Sequence, residues 1–421
     1  MTYPLHGESK SGGCDWFETI PLHWRTLPLK RAITFQRGHD LPAEQREDGD
    51  VPVVSSGGIS ARHSEPSASA PGIVTGRYGS IGEFYLLERD YWPLNTTLFS
   101  VDLHGNYARY LRYMLQHLSP LFVMNAVKSA VPGVDRNDIH PIPVALPPLD
   151  EQLAIATFLD GETTKLDSLI GRKEQLMELL VEKRETCISD AVTKGLNREA
   201  PMHDSGVEWL GRIPRHWKVV QSRRYFRERR EKARSTDEQL TASQKYGVVL
   251  QSEFMRAEGQ KVMQVIKGAD ILKHIEPNDF VISMRSFQGG IEWCRLQGCI
   301  SSAYVPLIPS NRVEPRFFSY LFKSGRYIQA LQATSNLVRD GQALRFENFA
   351  QVPLPLLDAH EQIAIADFLD NETSKIDALL ARVQIALGKL RELRSALISA
   401  AVTGQIDVRN YRSQEAAALC Q

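Results

Sequence analysis

Residues 151–196 read EQLAIATFLDGETTKLDSLIGRKEQLMELLVEKRETCISDAVTKGL, and residues 361–406 read EQIAIADFLDNETSKIDALLARVQIALGKLRELRSALISAAVTGQI. The two stretches align without a gap, and about half of their positions are identical. Chance does not produce such agreement over so long a stretch, so a unit of the chain has been duplicated. This duplication decides the predicted fold.

Each copy has the pattern of one long helix. Apolar residues recur at alternating steps of three and four, and the prolines stand before each copy (Pro147, Pro148, Pro353 and Pro355), where a helix tolerates them. An apolar repeat of about 3.5 residues over this length favours an antiparallel coiled coil between the two copies. The residues predicted to pack the two helices are Ile155, Leu159, Leu166, Leu169, Leu180, Ile365, Leu369, Ile376, Leu379, Leu390 and Leu397.

A weaker repeat surrounds the first one. Residues 20–24 read IPLHW and residues 213–217 read IPRHW, and each motif opens a segment of domain size that ends in apolar, proline-containing text. The predicted fold is α+β: two β-rich α/β domains separated by two long helices, in a pseudo-two-fold tandem repeat. The predicted boundaries are 1–150 for the first domain, 151–196 for the first helix, 197–212 for a linker, 213–358 for the second domain, 359–408 for the second helix and 409–421 for a flexible tail.

Composition excludes several classes of protein. The 421 residues are 43% hydrophobic, which excludes wholesale disorder, and no apolar run approaches the roughly 18 residues of a membrane span. The polar N-terminus has no apolar signal core, so we expect a cytoplasmic protein with no membrane contact. The five cysteines form no C-x-x-C pair, which predicts neither a metal site nor a disulfide framework. The zero net charge weighs against a free-standing DNA binder, although residues 215–234 are locally basic, as a solvated helix face or a phosphate-contacting segment would be.

Glycine-containing turns follow apolar strands in both predicted domains, which differ in sequence far more than the two helices do and are called the variable segments below. Residues 72–82 read GIVTGRYGSIG, and residues 280–290 read FVISMRSFQGG. Glycine allows close backbone approach, and arginine can make bidentate contact with guanine, so such a turn suits DNA reading; a surface hairpin with an arginine salt bridge fits the pattern as well. The candidate DNA-binding residues are Ser55, Ser56, Arg77, Tyr78, Ser80, Asn95, Arg223, Arg224, Arg285, Ser286, Gln288, Ser301 and Ser302.

The chain resembles the specificity (S) subunit of type I restriction-modification systems along nearly its whole length. The matching text is PPLxEQxxIxxFLD at residues 147–160, its second copy from Glu361 to Asp370, VTGQI at 402–406, the stretch DSGVEWLGxIPxHW at 204–217, and the SSGG and GRxGSIG turns of the first domain. The second domain departs from the first, because Met284 and Phe287 stand where the first domain has Gly76 and Gly79.

The resemblance implies a division of labour. Each variable segment would be a target recognition domain that reads one half of a bipartite, asymmetric site in double-stranded DNA. The paired helices would set the spacer between the half-sites and dock two methyltransferase (M) subunits. S-adenosylmethionine, ATP and Mg would belong to the M subunits and to the restriction (R) subunits that complete the complex. The chain itself would hold no cofactor and catalyse nothing, in keeping with the lack of a methyltransferase motif, a Walker A motif and a nuclease carboxylate–lysine cluster in its sequence.

Three alternatives remain open at this point. One is an enzyme with an unrecognised methyltransferase or nuclease site. A second is a coiled-coil scaffold whose domains bind carbohydrate or protein. A third, closest to the main hypothesis, is the S component of a related system in which modification and cleavage share one polypeptide.

Overall fold

The structure is a computed structural model that describes residues 4–126, 133–259, 271–334, 344–409 and 411. Its internal contacts divide the chain into two compact units. Unit 1 consists of Met1–Glu174 and Ile385–Gln421, and unit 2 is Gln175–Gln384. The division crosses both long helices, whereas the predicted boundaries treat each helix as a segment of its own. Each helix therefore contributes one part to each unit.

The domain of unit 1 is built mainly of short strands. The strands are β1 (Ser9–Cys14), β2 (Phe17–Pro21), β3 (Arg25–Pro28), β4 (Thr34–Arg37), β5 (Val51–Ser55), β6 (Gly58–His63), β7 (Gly72–Gly76), β8 (Phe84–Leu87), β9 (Trp92–Pro93), β10 (Thr97–Asp102) and β11 (Pro143–Leu146). Two helices accompany them, α1 (Ala108–Ala126) and α2 (Arg136–Ile139), and the first long helix, α3 (Leu149–Lys194), follows.

Unit 2 repeats this composition with more helices. Its strands are β12 (Met202–Asp204), β13 (Arg212–Pro214), β14 (Lys218–Val220), β15 (Phe226–Glu228), β16 (Leu240–Ser243), β17 (Gly247–Leu250), β18 (Lys273–Ile275), β19 (Phe280–Ile282), β20 (Glu292–Trp293), β21 (Gly298–Ile300), β22 (Val305–Pro309) and β23 (Leu354–Leu356). Its helices are α4 (Gln251–Glu258), α5 (Ser286–Gly289), α6 (Pro315–Lys323), α7 (Gly325–Ala333), α8 (Phe346–Gln351) and the start of the second long helix, α9 (Ala359–Val402).

Both units contain a four-stranded antiparallel sheet. The strand order is β4-β10-β7-β8 in unit 1 and β15-β22-β19-β20 in unit 2. The inner strands β7 and β19 are buried along their whole length, which explains why their sequences, GIVTG and FVI, carry no exposed polar face. The fold is α+β, as predicted from the sequence.

Each long helix begins after a proline-containing strand and ends at a glycine. Gly195 follows the last residue of α3 with φ +72°, and Gly404 lies just past the end of α9 with φ +71°. The left-handed conformation at this position closes a helix, and glycine adopts it without a steric penalty. Helix α9 consequently ends at Val402, before the boundary predicted at residue 408.

Each unit buries parts of both long helices in its core. In unit 1, Ile155, Phe158 and Leu159 of α3 and Leu397 and Ile398 of α9 pack with the domain. In unit 2, residues 188, 191 and 192 of α3 and residues 365, 366 and 369 of α9 do the same. The helix parts are therefore held by the domain cores as well as by their own contacts.

Ion pairs link the two helices within each unit. In unit 1, Arg394 Nε donates to Asp167 Oδ1 at 2.7 Å, and Arg391 Nη2 donates to Glu174 Oε1 at 2.7 Å. The contact positions rise along α3 while they fall along α9, so the two helix parts of this unit run antiparallel. In unit 2, Arg184 Nε donates to Asp377 Oδ1 at 2.9 Å.

Two of the predicted packing positions are wrong. Leu169 and Leu379 are 44% and 45% exposed, and they occupy the same position in the two copies of the repeat. An α-helix has 3.6 residues per turn, so a strict seven-residue repeat drifts by about 20° per heptad away from a fixed face. Leu180 and Leu390 are half-buried, while Ile155, Leu159, Leu166, Ile365, Leu369, Ile376 and Leu397 are buried.

The first described residues of the segment predicted to be a flexible tail make contacts within unit 1. Arg409 Nη2 donates to Asp407 Oδ2 at 2.6 Å, and the ring of Tyr411 packs edge-on against Phe158 with 4.8 Å between centroids. Asn410 and residues 412–421 lie outside the described residues. Within the described ranges, no helix is long and apolar enough to cross a bilayer, and no group of three or more His, Cys, Asp or Glu side chains has an arrangement that could hold a metal ion.

Candidate nucleic-acid interface

The turn after β7 forms one loop cluster in unit 1. Strand β7 ends at Gly76, which pairs with Thr97 at the start of β10. The backbone N–H of Arg77 donates to the carbonyl of Thr96 at 2.8 Å, so the turn lies beside the loop that contains Asn95. Antiparallel pairing thus brings together two loops that are distant in sequence.

A third loop joins this cluster through a close approach at glycine. A Cβ added to Gly76 would lie 2.8 Å from the carbonyl oxygen of Ser80 and 3.1 Å from Cβ of Ser56. Only glycine leaves room for this contact. The structure therefore collects all six candidate residues of the first domain at one end of the sheet: Ser55, Ser56, Arg77, Tyr78, Ser80 and Asn95.

The chemistry of this cluster is mixed. The Arg77 guanidinium lies 5.0 Å from the centre of the Tyr78 ring, which is 39% exposed. Asn95 donates through its amide to the Asp40 carboxylate, and Ser55 Oγ donates to the carbonyl of Gly58 at 3.1 Å. One cation, one carboxylate, one aromatic ring, one amide and several hydroxyl groups thus share a small surface, a combination of donors and acceptors that suits contact with base edges.

Unit 2 places its corresponding loops in the same way. Ile282 at the end of β19 pairs with Val305 at the start of β22, so the turn at 283–290 lies next to the loop at 301–304. Arg285, Gln288 and Ser302 are exposed, and Ser301 is half-buried. Four of the candidate residues of the second domain therefore lie at one end of its sheet.

Ser286 does not belong to this surface. Its side chain is fully buried, and its Oγ accepts a hydrogen bond of 2.8 Å from the backbone N–H of Ser283. The residue closes the turn at the start of α5, where a serine stabilises the local backbone. The prediction that Ser286 contacts DNA is therefore wrong in this conformation.

Arg223 and Arg224 lie at the other end of the same sheet. They precede β15, whose first residue, Phe226, pairs with Pro309 at the far end of β22 from Val305. Both arginines are exposed, and the Arg223 guanidinium lies 5.8 Å from the centre of the Phe346 ring. The structure does not bring them to the loop cluster, because they come before the strand rather than after it.

The sequence analysis missed other residues at the loop ends. Arg37, which is exposed, ends β4 and pairs with Leu98, and the N–H of Gly38 donates to the carbonyl of Thr97. In unit 2, Gln244 Nε2 donates to the carbonyl of Arg285 at 3.0 Å from the turn between β16 and β17. The sequence feature that could have identified Gln244 is a polar turn that ends in Gly247 between two apolar strands.

A buried charged network supports the second domain. Arg229 donates through Nε to Asp279 Oδ2 at 2.7 Å and through Nη1 to Glu231 Oε1 at 2.8 Å. Burial raises the pKa of Asp279, while the Arg229 guanidinium opposes that shift. Because Arg229 is buried, its charge is committed to the fold and is not part of the exposed surface.

Comparison with known proteins finds a matching family model and related specificity subunits. Residues 22–178 match the family model of the type I restriction modification DNA specificity domain. The putative type I restriction enzyme MjaX specificity subunit of Methanocaldococcus jannaschii is 23% identical over 311 residues, which cover 71% of this chain and 68% of that protein. The type I restriction enzyme EcoDI specificity subunit of Escherichia coli is 23% identical over 186 residues, covering 43% of this chain and 40% of that protein.

A solved structure gives the same fold. One chain of a structure described as showing complex assembly and conformational transition of the type I R-M system superposes with a TM-score of 0.62. The match covers 92% of this chain and 99% of that chain at 15% identity, a level that shows the fold alone.

Residues 22–178 thus match a DNA specificity domain, and the four-stranded sheet of unit 1 with its loop cluster lies within them. The chain is similar over most of its length to specificity subunits of type I restriction-modification systems.

Proposed function

We propose that each unit reads one half of a bipartite, asymmetric site in double-stranded DNA. One observation carries the proposal: two sheets with the same strand order each present an arginine-containing turn after the third strand, next to the loop that enters the second strand. Arg285 is exposed in its turn, and Arg77 is half-buried beside the exposed Tyr78. The two turns differ in sequence, GRYGS against MRSFQ, so the half-sites would differ as well. The residues assigned to DNA contact are Ser55, Ser56, Arg77, Tyr78, Ser80 and Asn95 in unit 1, and Arg285, Gln288, Ser301 and Ser302 in unit 2.

The long helices set the spacer between the half-sites in this proposal. The antiparallel ion pairs of unit 1 and the Arg184–Asp377 pair of unit 2 support a coiled coil that runs along α3 and α9. Exposed ion pairs contribute at most about 1 kcal/mol each, so the buried apolar positions supply most of the pairing energy. The pseudo-two-fold relation between the two halves stays a prediction.

In this proposal, partner chains carry out the catalytic steps. Two methyltransferase subunits dock on the helices and bind S-adenosylmethionine, and restriction subunits supply the ATP- and Mg-dependent steps. The present chain is a non-catalytic, cytoplasmic component of that complex. The enzyme hypothesis would require DNA turnover by the purified chain without partners.

The scaffold hypothesis and the fused-polypeptide hypothesis predict different partners. A scaffold with domains for carbohydrate or protein would bind DNA neither specifically nor with strong dependence on salt. A single modification-cleavage polypeptide would replace the separate M and R subunits, and purification of the complex from its host would distinguish the two arrangements by subunit composition.

Replacement of one arginine at a time tests the proposal. Arg77→Ala or Arg285→Ala, each in a complex with the modification subunits, should weaken specific DNA binding by about 1–3 kcal/mol, because a bidentate base contact is lost. Each variant should relax sequence preference in one half-site only, as measured by fluorescence anisotropy on a panel of duplexes mutated in either half.

Arg223→Ala is the matched control, because Arg223 is an exposed arginine of unit 2 at the opposite end of the sheet. It should leave the sequence preference of both half-sites unchanged. Unaltered affinity and preference in both Arg77→Ala and Arg285→Ala would refute the assignment of these turns.

A further inference from the structure

Unit 2 has an open groove at the junction of its two long helices. Its volume is about 800 Å3, and its apolar lining comes from Leu179, Cys187, Ala191, Leu196, Met202 and Phe368. The Phe368 ring is 39% exposed, which is unusual for a phenylalanine on the apolar side of a helix. Glu372, one turn further along α9, also lines the groove.

The corresponding place in unit 1 is filled. Phe368 and Glu372 correspond to Phe158 and Glu162 in the repeat, and Phe158 is fully buried. Tyr411 provides the cover: its ring packs edge-on against Phe158 at 4.8 Å, and its hydroxyl donates to Glu162 Oε1 at 2.9 Å. The chain after α9 thus inserts one tyrosine between the ring and the carboxylate.

The glutamate that accepts the tyrosine hydrogen bond in unit 1, and the lysine beside it, have counterparts in unit 2. Glu162 Oε1 accepts from Lys165 at 2.7 Å, and Glu372 Oε1 accepts from Lys375 at 2.6 Å. The Glu372 side chain is 29% exposed against 14% for Glu162, as expected where the tyrosine is missing. In the ungapped alignment Pro201 stands in the place of Tyr411, and proline offers neither a ring edge of this kind nor a hydroxyl donor.

We propose that the groove of unit 2 binds a tyrosine side chain presented by an extended segment of a partner polypeptide. The ring would cover Phe368, and the hydroxyl would donate to Glu372 beside Lys375, as Tyr411 does at the duplicate site. This inference rests on the proposed function for the existence of protein partners. It adds a surface and a residue type that those partners would use.

A second copy of this chain is a poor source of that tyrosine. Tyr411 already uses its ring on Phe158 and its hydroxyl on Glu162, so a second copy would have to vacate its own site to fill another. The new ring packing and hydrogen bond would only replace the same two interactions broken in unit 1, while association costs translational and rotational freedom. The occupant is therefore a different polypeptide.

A peptide tests the groove on the isolated full chain. The probe is the capped heptapeptide QIDVRNY, the sequence of residues 405–411, and the readout is alkylation of Cys187, followed by peptide mapping with mass spectrometry. Cys187 lines the groove, so bound peptide should slow its alkylation by roughly twofold when the peptide concentration equals its Kd. A peptide with Phe in place of Tyr lacks the hydroxyl donor and should bind about tenfold more weakly. A Glu372→Gln chain keeps an amide oxygen as acceptor but loses the charge-assisted hydrogen bond, so it should bind the Tyr peptide several-fold more weakly.

Glu162→Gln is the matched control, because it alters the filled site and should leave peptide binding at Cys187 unchanged. In a complex with the modification subunits, Cys187 should be protected without peptide, and Glu372→Gln should restore its alkylation. Equal reactivity of Cys187 in the isolated chain and in the complex would overturn the proposal, as would indifference to all Tyr-containing peptides. The proposal would also be overturned if Cys187 were protected in a dimer of the chain alone and if Tyr411→Phe abolished that protection, because the occupant would then be a second copy. None of these readouts depends on DNA reading, so the two proposals can fail separately.

Discussion

His274 is a fully buried histidine held between two carboxylates. Its Nδ1 donates to Asp237 Oδ2 at 2.7 Å and its Nε2 to Glu276 Oε1 at 2.7 Å, so both nitrogens carry protons when both bonds are made. Burial opposes the charged ring, but the hydrogen bonds to Glu276 and Asp237 outweigh it and raise the pKa of His274. The protonated ring therefore contributes to the stability of unit 2.

This shift predicts a dependence of stability on pH. Because the folded-state pKa is raised, the contribution of His274 is fully present below the ordinary pKa of about 6.5 and is lost as pH rises through the raised value. Urea unfolding of the chain at a series of pH values should show this loss, and His274→Gln should remove it while lowering stability at acidic pH. An unchanged pH profile in His274→Gln would contradict the assignment.

Residue identity alone did not separate surface from core in the second domain. Arg285 and Ser286 are neighbours in a turn that the sequence marked for DNA contact, yet Arg285 is exposed and Ser286 is buried. Both residue types fit such a turn. Which of them faces outward depends on the hydrogen bond from Ser283 and on the packing under α5.

The repeated text at the start of each long helix has a structural explanation. Gln152 Nε2 donates to Asn106 Oδ1 at 2.8 Å and its Oε1 accepts from the N–H of Tyr107 at 2.9 Å; Gln362 Oε1 accepts from the N–H of Glu314 at 2.8 Å. The preceding glutamates, Glu151 and Glu361, accept from His23 and His216 of the IPxHW motifs. The motifs shared by the two repeats therefore fasten each helix to its own domain.

Helix ends give a matched pair of substitutions. Gly195→Ala and Gly404→Ala each place a side chain in the left-handed region, at a cost of about 1 kcal/mol. At Gly404 the added Cβ would also lie 2.4 Å from Pro21 Cδ, whereas at Gly195 the nearest atoms are 3.3 Å away. Overpacking adds about 1–3 kcal/mol, so Gly404→Ala should lower the free energy of unfolding more than Gly195→Ala does.

Denaturant unfolding of the Gly195→Ala and Gly404→Ala variants measures this difference in the free energy of unfolding. Gly388→Ala, in the interior of α9 with open space around the added carbon, is the control and should be neutral or stabilising by up to about 1 kcal/mol. If Gly195→Ala proved the more damaging of the two end variants, the close contact between Gly404 and Pro21 would be refuted.

Insertion of one heptad into each long helix tests the proposed function of the whole molecule. Seven residues lengthen a helix by about 10 Å, the rise of about three base pairs of DNA. The recognised site should therefore gain about three base pairs of spacer while both half-sites keep their sequences, because the domains are untouched. Sequencing of methylated sites in cells that express the variant with its modification subunit would measure the spacer. An unchanged spacer would exclude the proposal that helix length sets the distance between the half-sites.

The sequence established the tandem plan, the α+β class, the two long helices and the turns that follow apolar strands. These features depend on periodicity, on duplicated text and on where glycine and proline occur, all of which are local properties of a chain. The family resemblance followed from the same duplicated motifs.

Only the tertiary structure decided which side chains share a surface. Antiparallel pairing placed Arg77 beside Asn95, and it sent Arg223 to the opposite end of its sheet from Arg285. The packing of Tyr411 covers Phe158, whereas Phe368 stays partly exposed, although the two phenylalanines stand in nearly identical sequence. Burial depends on what packs from elsewhere in the chain, and a local pattern carries no information about that neighbour.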